Sequence, residues 1–332
     1  MIILQHLRYA LMAGVMLFCG FALAGSENHS EIRVATPWPA QSTIIAMLGY
    51  SRNIVGTSAV AQRIPLFRQI YPDIIQVPVV SVTSAHEIHP EQVIALRAQL
   101  LIIPQNMHLS QAGVLARASI KTLALPANSL TALRQRVTLT AQALGPDAQA
   151  QDRRYQAYFD RNLNLVRQRL RHLPDTERVK VYHSMGSPLI TSGRPSLNQD
   201  WMDVAGAENE AESWFPAKKN GAGEVPLEKI VAANPQVIVA MNARDAAAIR
   251  ENPAWQGTLA VQHQRVYTNP QGLFWWCRET SESALQILWL AKTLYPQHFA
   301  DIDMVQETRA FYRRFFAVTL STAQIEKILH PE

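Results

Sequence analysis

Short apolar runs along the chain alternate with longer stretches whose apolar positions recur every three or four residues. The first pattern reads as buried strands and the second as helices. Ile32 to Ala35, Ile54 to Gly56, Val77 to Val80, Leu100 to Ile103 and Thr122 to Leu125 are predicted strands, with helical stretches such as Gln41 to Leu48 between them. The alternation resumes with strands at Val179 to Tyr182, Pro188 to Gly193, Val237 to Ala240 and Arg265 to Tyr267. Helices are predicted at Gln199 to Ala205, Glu279 to Leu294 and Met304 to Phe316. Strands and helices in alternation argue for mainly parallel sheets covered by helices.

One stretch breaks the rhythm. Asp147 to Leu173 has no glycine or proline, carries apolar residues at Tyr155, Phe159, Val166 and Leu170, and is bounded by Gly145-Pro146 and Pro174. Such a helix spans roughly 40 Å at 1.5 Å per residue, longer than one small lobe needs. The expected fold is therefore α/β, with two Rossmann-like lobes joined by one long rigid helix. The boundaries are residues 25–146 for the first lobe, 147–174 for the helix and 175–332 for the second lobe. A stiff strut allows only small lobe movement.

A segment also occurs twice. Pro90-Glu91-Gln92-Val93-Ile94-Ala95-Leu96 leads into Leu100 to Ile103, and Pro226-Leu227-Glu228-Lys229-Ile230-Val231-Ala232 leads into Val237 to Ala240. The glutamates stand at an offset of 137 residues (91 to 228), and the apolar positions behind them match. A helix–strand unit repeated across the chain again points to two similar lobes, with a cleft between them.

Composition narrows the function. At 332 residues with 48% hydrophobic and 17% charged, the chain can bury substantial cores. A net charge of +5 is modest and spread out, which argues against nucleic acid as partner. The dense basic run Arg161 to Arg171 lies on a helical pattern and reads as a solvated face. Arg8 followed by the apolar run Tyr9 to Ala24, ending Ala22-Leu23-Ala24, reads as a cleavable secretory signal over residues 1–24, and hence a periplasmic protein. Phe18 before Cys19 argues against a lipoprotein, and cleavage leaves Cys277 alone, so no internal disulfide is expected.

The order of these elements resembles the periplasmic substrate-binding proteins that serve ABC importers of iron–siderophore complexes, cobalamin and haem. The resemblance rests on the paired Glu91 and Glu228 segments, the strut, Leu189-Ile190-Thr191-Ser192-Gly193, Val204-Ala205-Gly206-Ala207-Glu208-Asn209 and Trp289 to Pro296. It implies that Glu91 and Glu228 dock on arginines of an inner-membrane permease dimer, and that the protein is a monomer that binds rather than converts its ligand. The first copy departs from the family's proline–aspartate turn, with Arg97-Ala98-Gln99 where the second has Asn234-Pro235-Gln236, so its local turn is an open expectation.

Ligands of parallel α/β lobes sit beyond the carboxyl ends of the strands. That rule nominates Thr36 to Ala40, Ser58-Ala59, Gln105-Asn106, His183 to Gly186, Asn242 to Arg244 and Phe274 to Arg278, with Trp214-Phe215 able to fold over the opening. The candidate ligand residues are Trp38, Tyr182, His183, Trp214, Arg244, Trp275, Trp276 and Arg278. Aromatic walls with arginine forks suit a bulky, flat, anionic chelate, most of all an iron–siderophore complex. Cobalamin, haem or a nickel chelate are alternatives, as is a sensor that does not transport. Arg278 and Glu282 at helical spacing could instead form a surface ion pair. No cofactor is expected and no direct metal ligand, although His183 could complete a chelated metal's coordination. His86-Glu87-Ile88-His89 lacks the His-Glu-x-x-His spacing of zinc hydrolases, and Pro37-Trp38-Pro39-Ala40 offers no histidine for a bare ion. An enzyme is disfavoured: the chain has no Gly-x-Ser-x-Gly elbow and no phosphate loop.

Overall fold

The computed structural model describes residues 31–81, 88–107, 109, 112–216 and 221–332. The signal region 1–24 and His86-Glu87 lie outside the described residues. Strands β1 (Val34–Ala35), β2 (Ile54–Ser58), β3 (Val79–Ser81), β4 (Leu100–Pro104) and β5 (Lys121–Leu125) form one parallel sheet in the order β3-β2-β1-β4-β5. The second lobe contains β6 (Val179–Ser184), β7 (Ile190–Ser192), β8 (Ala207–Asn209), β9 (Ala222–Glu224), β10 (Val237–Ala240) and β11 (Val266–Thr268). Its parallel sheet runs β11-β10-β6-β8, and β7 and β9 pair antiparallel as a separate ribbon. In the first sheet the order reverses on either side of β1, which places a crevice beyond its carboxyl end.

Each sheet is buried on both faces. The inner faces share one continuous core with the strut, running from Val34 and Ile102 through Tyr155 and Phe159 to Val181, Val239 and Leu288. Each outer face has its own smaller core: Ala35, Val93, Leu101 and Leu115 in the first lobe, Tyr182, Ile230, Ile238 and Trp255 in the second. Alternate residues of a strand face opposite sides, so Val34 and Ala35, or Val181 and Tyr182, part company in this way. The lobes are thus fused along their inner faces.

The strut is the helix Pro146–Leu170, four residues shorter at its end than expected. Pro146 stands at its first turn, where a missing N–H costs nothing, with Asp147 beside it and Arg167 and Arg169 in the last turn, each favoured by the helix dipole. Leu173 closes a turn on Leu170 ahead of Pro174. Its buried face (Tyr155, Tyr158, Phe159, Asn162, Leu163, Val166) packs against the helices Leu130–Leu144 and Ser283–Leu294, one from each lobe. Two hydrogen bonds pin it to the second: Tyr155 Oη donates to the Ser281 carbonyl (2.8 Å), and Asn162 Nδ2 to that of Ala284 (2.8 Å).

The repeated segment is the same structure twice. Glu91 and Glu228 are exposed in the first turns of the helices Pro90–Ala95 and Leu227–Ala233. Behind them Val93 and Ile230 are fully buried. The turn that follows takes a left-handed residue in both copies, Arg97 at φ 50° and Asn234 at φ 53°. Two residues on, Gln99 Oε1 accepts the Arg33 N–H (2.9 Å) and Gln236 Oε1 the Lys180 N–H (2.9 Å). The Gln99 and Gln236 N–H groups return a bond to the carbonyls of Arg33 and Lys180. The proline of the second copy is therefore not needed for the turn; the glutamine clamp holds it.

Candidate ligand cleft

A cavity of about 650 Å³ opens between the lobes at the carboxyl ends of the strands. The first lobe contributes Trp38 after β1, Pro104, Gln105 and Asn106 at the end of β4, and Ala127 and Asn128 after β5. The second contributes Met185 after β6, Leu197 and Asn198 at a helix start, Ala222 of β9, and Cys277, Arg278 and Glu279 after β11.

Trp38 is held by its backbone and its ring. Thr36 Oγ1 donates to the Ile102 carbonyl (2.9 Å) and accepts the Trp38 N–H (3.2 Å), fixing the turn into the helix Pro39–Met47. The guanidinium of Arg136 lies over the ring, 4.0 Å from its centroid. Trp38 is only 5% exposed, so it forms a floor and not a free stacking platform. Asn198 is equally fixed: its Nδ2 donates to Ser192 Oγ (2.9 Å) and Met185 Sδ (3.1 Å), and its Oδ1 accepts Trp201 Nε1 (3.1 Å).

The loop bearing Arg278 is anchored on both sides. Thr43 Oγ1 from the first lobe lies 2.9 Å from Thr280 Oγ1, and it accepts the Ser281 N–H (3.2 Å). Glu279 pairs with Arg136 (Oε2 to Nη1, 3.3 Å) and accepts the N–H of Asn128. Glu282 is fully buried, not a surface partner of Arg278. It accepts the N–H groups of Leu273 and Phe274 (3.0 Å each), Trp276 Nε1 (3.2 Å), Thr280 Oγ1 (3.2 Å) and Tyr312 Oη. Burial raises its pKa, against those donors, which lower it. Gly272 is required here, because a Cβ would overlap the Glu282 carboxylate and Tyr312 Oη. This carboxylate consumes the turn at 279–282, so the helix starts at Ser283 and not at Glu279.

Two of the eight expected ligand residues, Trp38 and Arg278, line the cavity; six do not. Tyr182 faces the outer core, packed on Trp255 with its hydroxyl on the Pro188 carbonyl (2.8 Å). Trp214 belongs to the same core, with Lys229 Nζ over its ring at 4.7 Å. Trp276 is fully buried, and Trp275 packs edge-on to Phe274. Arg244, with its side chain 83% exposed, reaches the Gly186 carbonyl (3.3 Å) and pairs loosely with the buried Asp245 (3.8 Å), away from the cavity. His183 points inward, its ring edge-on to Trp201, with neither nitrogen hydrogen-bonded to a described group. Burial, helped by the charge of Arg278, pushes its pKa down to about 3, so it is neutral. For the two strand residues the reason is register. A residue at a strand end reaches the crevice only if it lies past the last paired position, and Tyr182 and His183 are still paired, with Ile238 and Val239.

Asn128, Asn198, Glu279 and Arg136 escaped the sequence reading. Asn128-Ser129 carried a signal, since a capping serine three residues before the amide it caps follows β5 and so marks another strand end. Arg136, mid-helix, carried none. Among the described residues no cluster of three or more His, Cys, Asp or Glu could hold a metal ion, and no helix is long and apolar enough to cross a membrane.

The fold and cleft define a two-lobed solute receptor. Residues 34–273 match the family described as periplasmic binding proteins, and the chain belongs to that family. It is 29% identical over 188 residues to the molybdate-binding protein MolA of Haemophilus influenzae, a match covering 55% of this chain and 51% of that protein. A structure of MolA bound to molybdate has a TM-score of 0.77 at 20% identity, covering 87% of this chain and 94% of that one. A periplasmic solute-binding protein from Veillonella parvula has a TM-score of 0.78 at 22% identity, covering 91% and 93%. The uncharacterized ABC transporter substrate-binding lipoprotein YvrC of Bacillus subtilis is 22% identical over 275 residues, 81% of this chain and 82% of that protein.

Proposed function

We propose that this protein captures an anionic, oxygen-rich metal solute in the inter-lobe cleft and delivers it to the membrane permease of an ABC importer. The observation that carries this reading is Arg278. It is the cation on the cavity wall, no described carboxylate forms an ion pair with it, and amide residues of both lobes line the same cavity. A guanidinium fork with amide donors recognises oxyanions through charge-assisted hydrogen bonds. A compact metal oxyanion of the molybdate type fits best, because Trp38 is the one aromatic residue of the lining and the relative MolA is named for molybdate. The volume favours a second reading. About 650 Å³ is in the usual range for drug-sized ligands and leaves room for an iron–siderophore complex.

Delivery rests on Glu91 and Glu228, exposed on equivalent helices outside the cleft, where carboxylates steer docking on a basic permease more than they add affinity. The protein acts as a periplasmic monomer. It carries its ligand unchanged; burial pushes the Cys277 thiol up to about 12, so little of it is thiolate. Tryptophan fluorescence titration with molybdate, a ferric tris-catecholate, haem, cobalamin and a nickel chelate tests the reading. Saturable binding of molybdate or the ferric complex is expected, and binding of cobalamin alone would overturn the anionic ligand.

A further inference from the structure

Arg136 is a buried cation that touches no solvent and does not line the cleft, yet the ring it stacks on and the carboxylate it pairs with both do. Its guanidinium has no exposed surface and lies over the Trp38 ring at 4.0 Å. Nη1 meets Glu279 Oε2 at 3.3 Å, and Nη2 donates to the Glu279 carbonyl. Glu279 also accepts the Asn128 N–H, and all three of Trp38, Asn128 and Glu279 face the cavity. A carboxylate therefore stands on the wall next to Arg278, in a cleft that must admit an anion. Left alone it would repel the ligand about as strongly as Arg278 attracts it, since like and opposite charges at similar range nearly cancel.

We infer that Arg136 is a positioning residue for the charge of the cleft: from behind the wall it neutralises Glu279, so that Arg278 alone sets the sign seen by the ligand. Glu279 is kept because it ties the loop after β11 to the loop after β5, across the floor between the lobes. An arginine suits the masking role because it stays protonated even where burial lowers its pKa, as it does here. The inference rests on the anionic-ligand reading and adds a discriminating element to it: neutral solutes gain nothing from the pair.

Calorimetric titration of the full chain with molybdate and with a ferric tris-catecholate, each at low and high salt, tests this. Arg136→Met should weaken the bound anion about thirtyfold and flatten its salt dependence. Glu279→Gln should strengthen it severalfold, and the double variant should return to within about threefold of the unaltered protein. Arg136→Lys, which keeps the charge and loses the fork, should lose less than Arg136→Met. If Arg136→Met does not fold, Glu279→Gln and the double variant still decide. A double variant that binds as poorly as Arg136→Met, or a Glu279→Gln that binds more weakly, overturns the masking while leaving the anionic reading intact. If the unaltered protein binds neither anion, both fall.

Discussion

Laid against one another by strand register, the two lobes are alike at their edges and unlike at their centres. Val34 and Val181 pair with Leu100 and Val237, so Thr36, one residue past β1, and His183, on β6, hold equivalent places. Outside the cleft the equivalence is nearly complete, down to the left-handed residue and the glutamine clamp behind each surface glutamate. Inside it fails. Thr36 makes two side-chain hydrogen bonds that aim the Trp38 turn, while the His183 ring makes none to a described group. Both lobes supply amides, but the first adds an aromatic floor and the second the cation. The repeated part fits a task done twice, symmetrically, on an outer surface. The divergent part fits a ligand that has only one orientation.

The comparison breaks hardest at Glu282, which has no counterpart in the first lobe. Glu282→Ala strands two backbone N–H groups and an indole N–H, and should cost about 3 kcal/mol or more. Thermal or denaturant unfolding measures it.

His183 gives the lobes a different response to acid. Its folded pKa, about 3, lies below the ordinary 6.5, so the folded state disfavours the proton. Its contribution is complete above about pH 6.5 and is lost as pH falls toward 3, by about 1.4 kcal/mol per unit within that window. His183→Leu should flatten this slope in urea unfolding against pH, whereas Thr36 has nothing to titrate.

The glutamine clamps sharpen the likeness. Gln99→Ala and Gln236→Ala should each cost about 0.5–1 kcal/mol, because each removes the side-chain acceptor of an exposed strand-entry N–H. Unequal losses would show that the proline of the second copy shares the load after all.

Smallest in the isolated protein are Glu91→Lys and Glu228→Lys. Both side chains are exposed, so stability should stay within about 0.5 kcal/mol and ligand titrations should be unaltered. Uptake by cells should fall with either. Loss of ligand binding would make the glutamates structural.

Much of this frame was legible in the sequence because it depends on period and punctuation. The strand Val237–Ala240 and the helix Met304–Phe316 fall where their apolar patterns place them, and the strut ends short only because its last residues turn before Pro174. The cleft was less legible. Trp and Arg suggest ligand contacts by type, but pairing register decides which of them reach the crevice, and Trp276 and Tyr182 are spent on core packing. Arg136 went unnoticed and Glu282 was read as a surface residue for another reason. A charged residue within an apolar pattern reads as exposed, and only the three-dimensional partner 143 residues away, Glu279, makes Arg136 a buried one.

The most direct test compares two arginines. Arg278→Met and Arg244→Met are titrated calorimetrically with the anion that the unaltered protein binds. Removing the cleft cation should weaken binding a hundredfold or more, of the order of one buried charged hydrogen-bond partner or two. Removing the exposed Arg244 should change it less than twofold. The reverse order, with Arg244 essential and Arg278 dispensable, would contradict the site described for this protein.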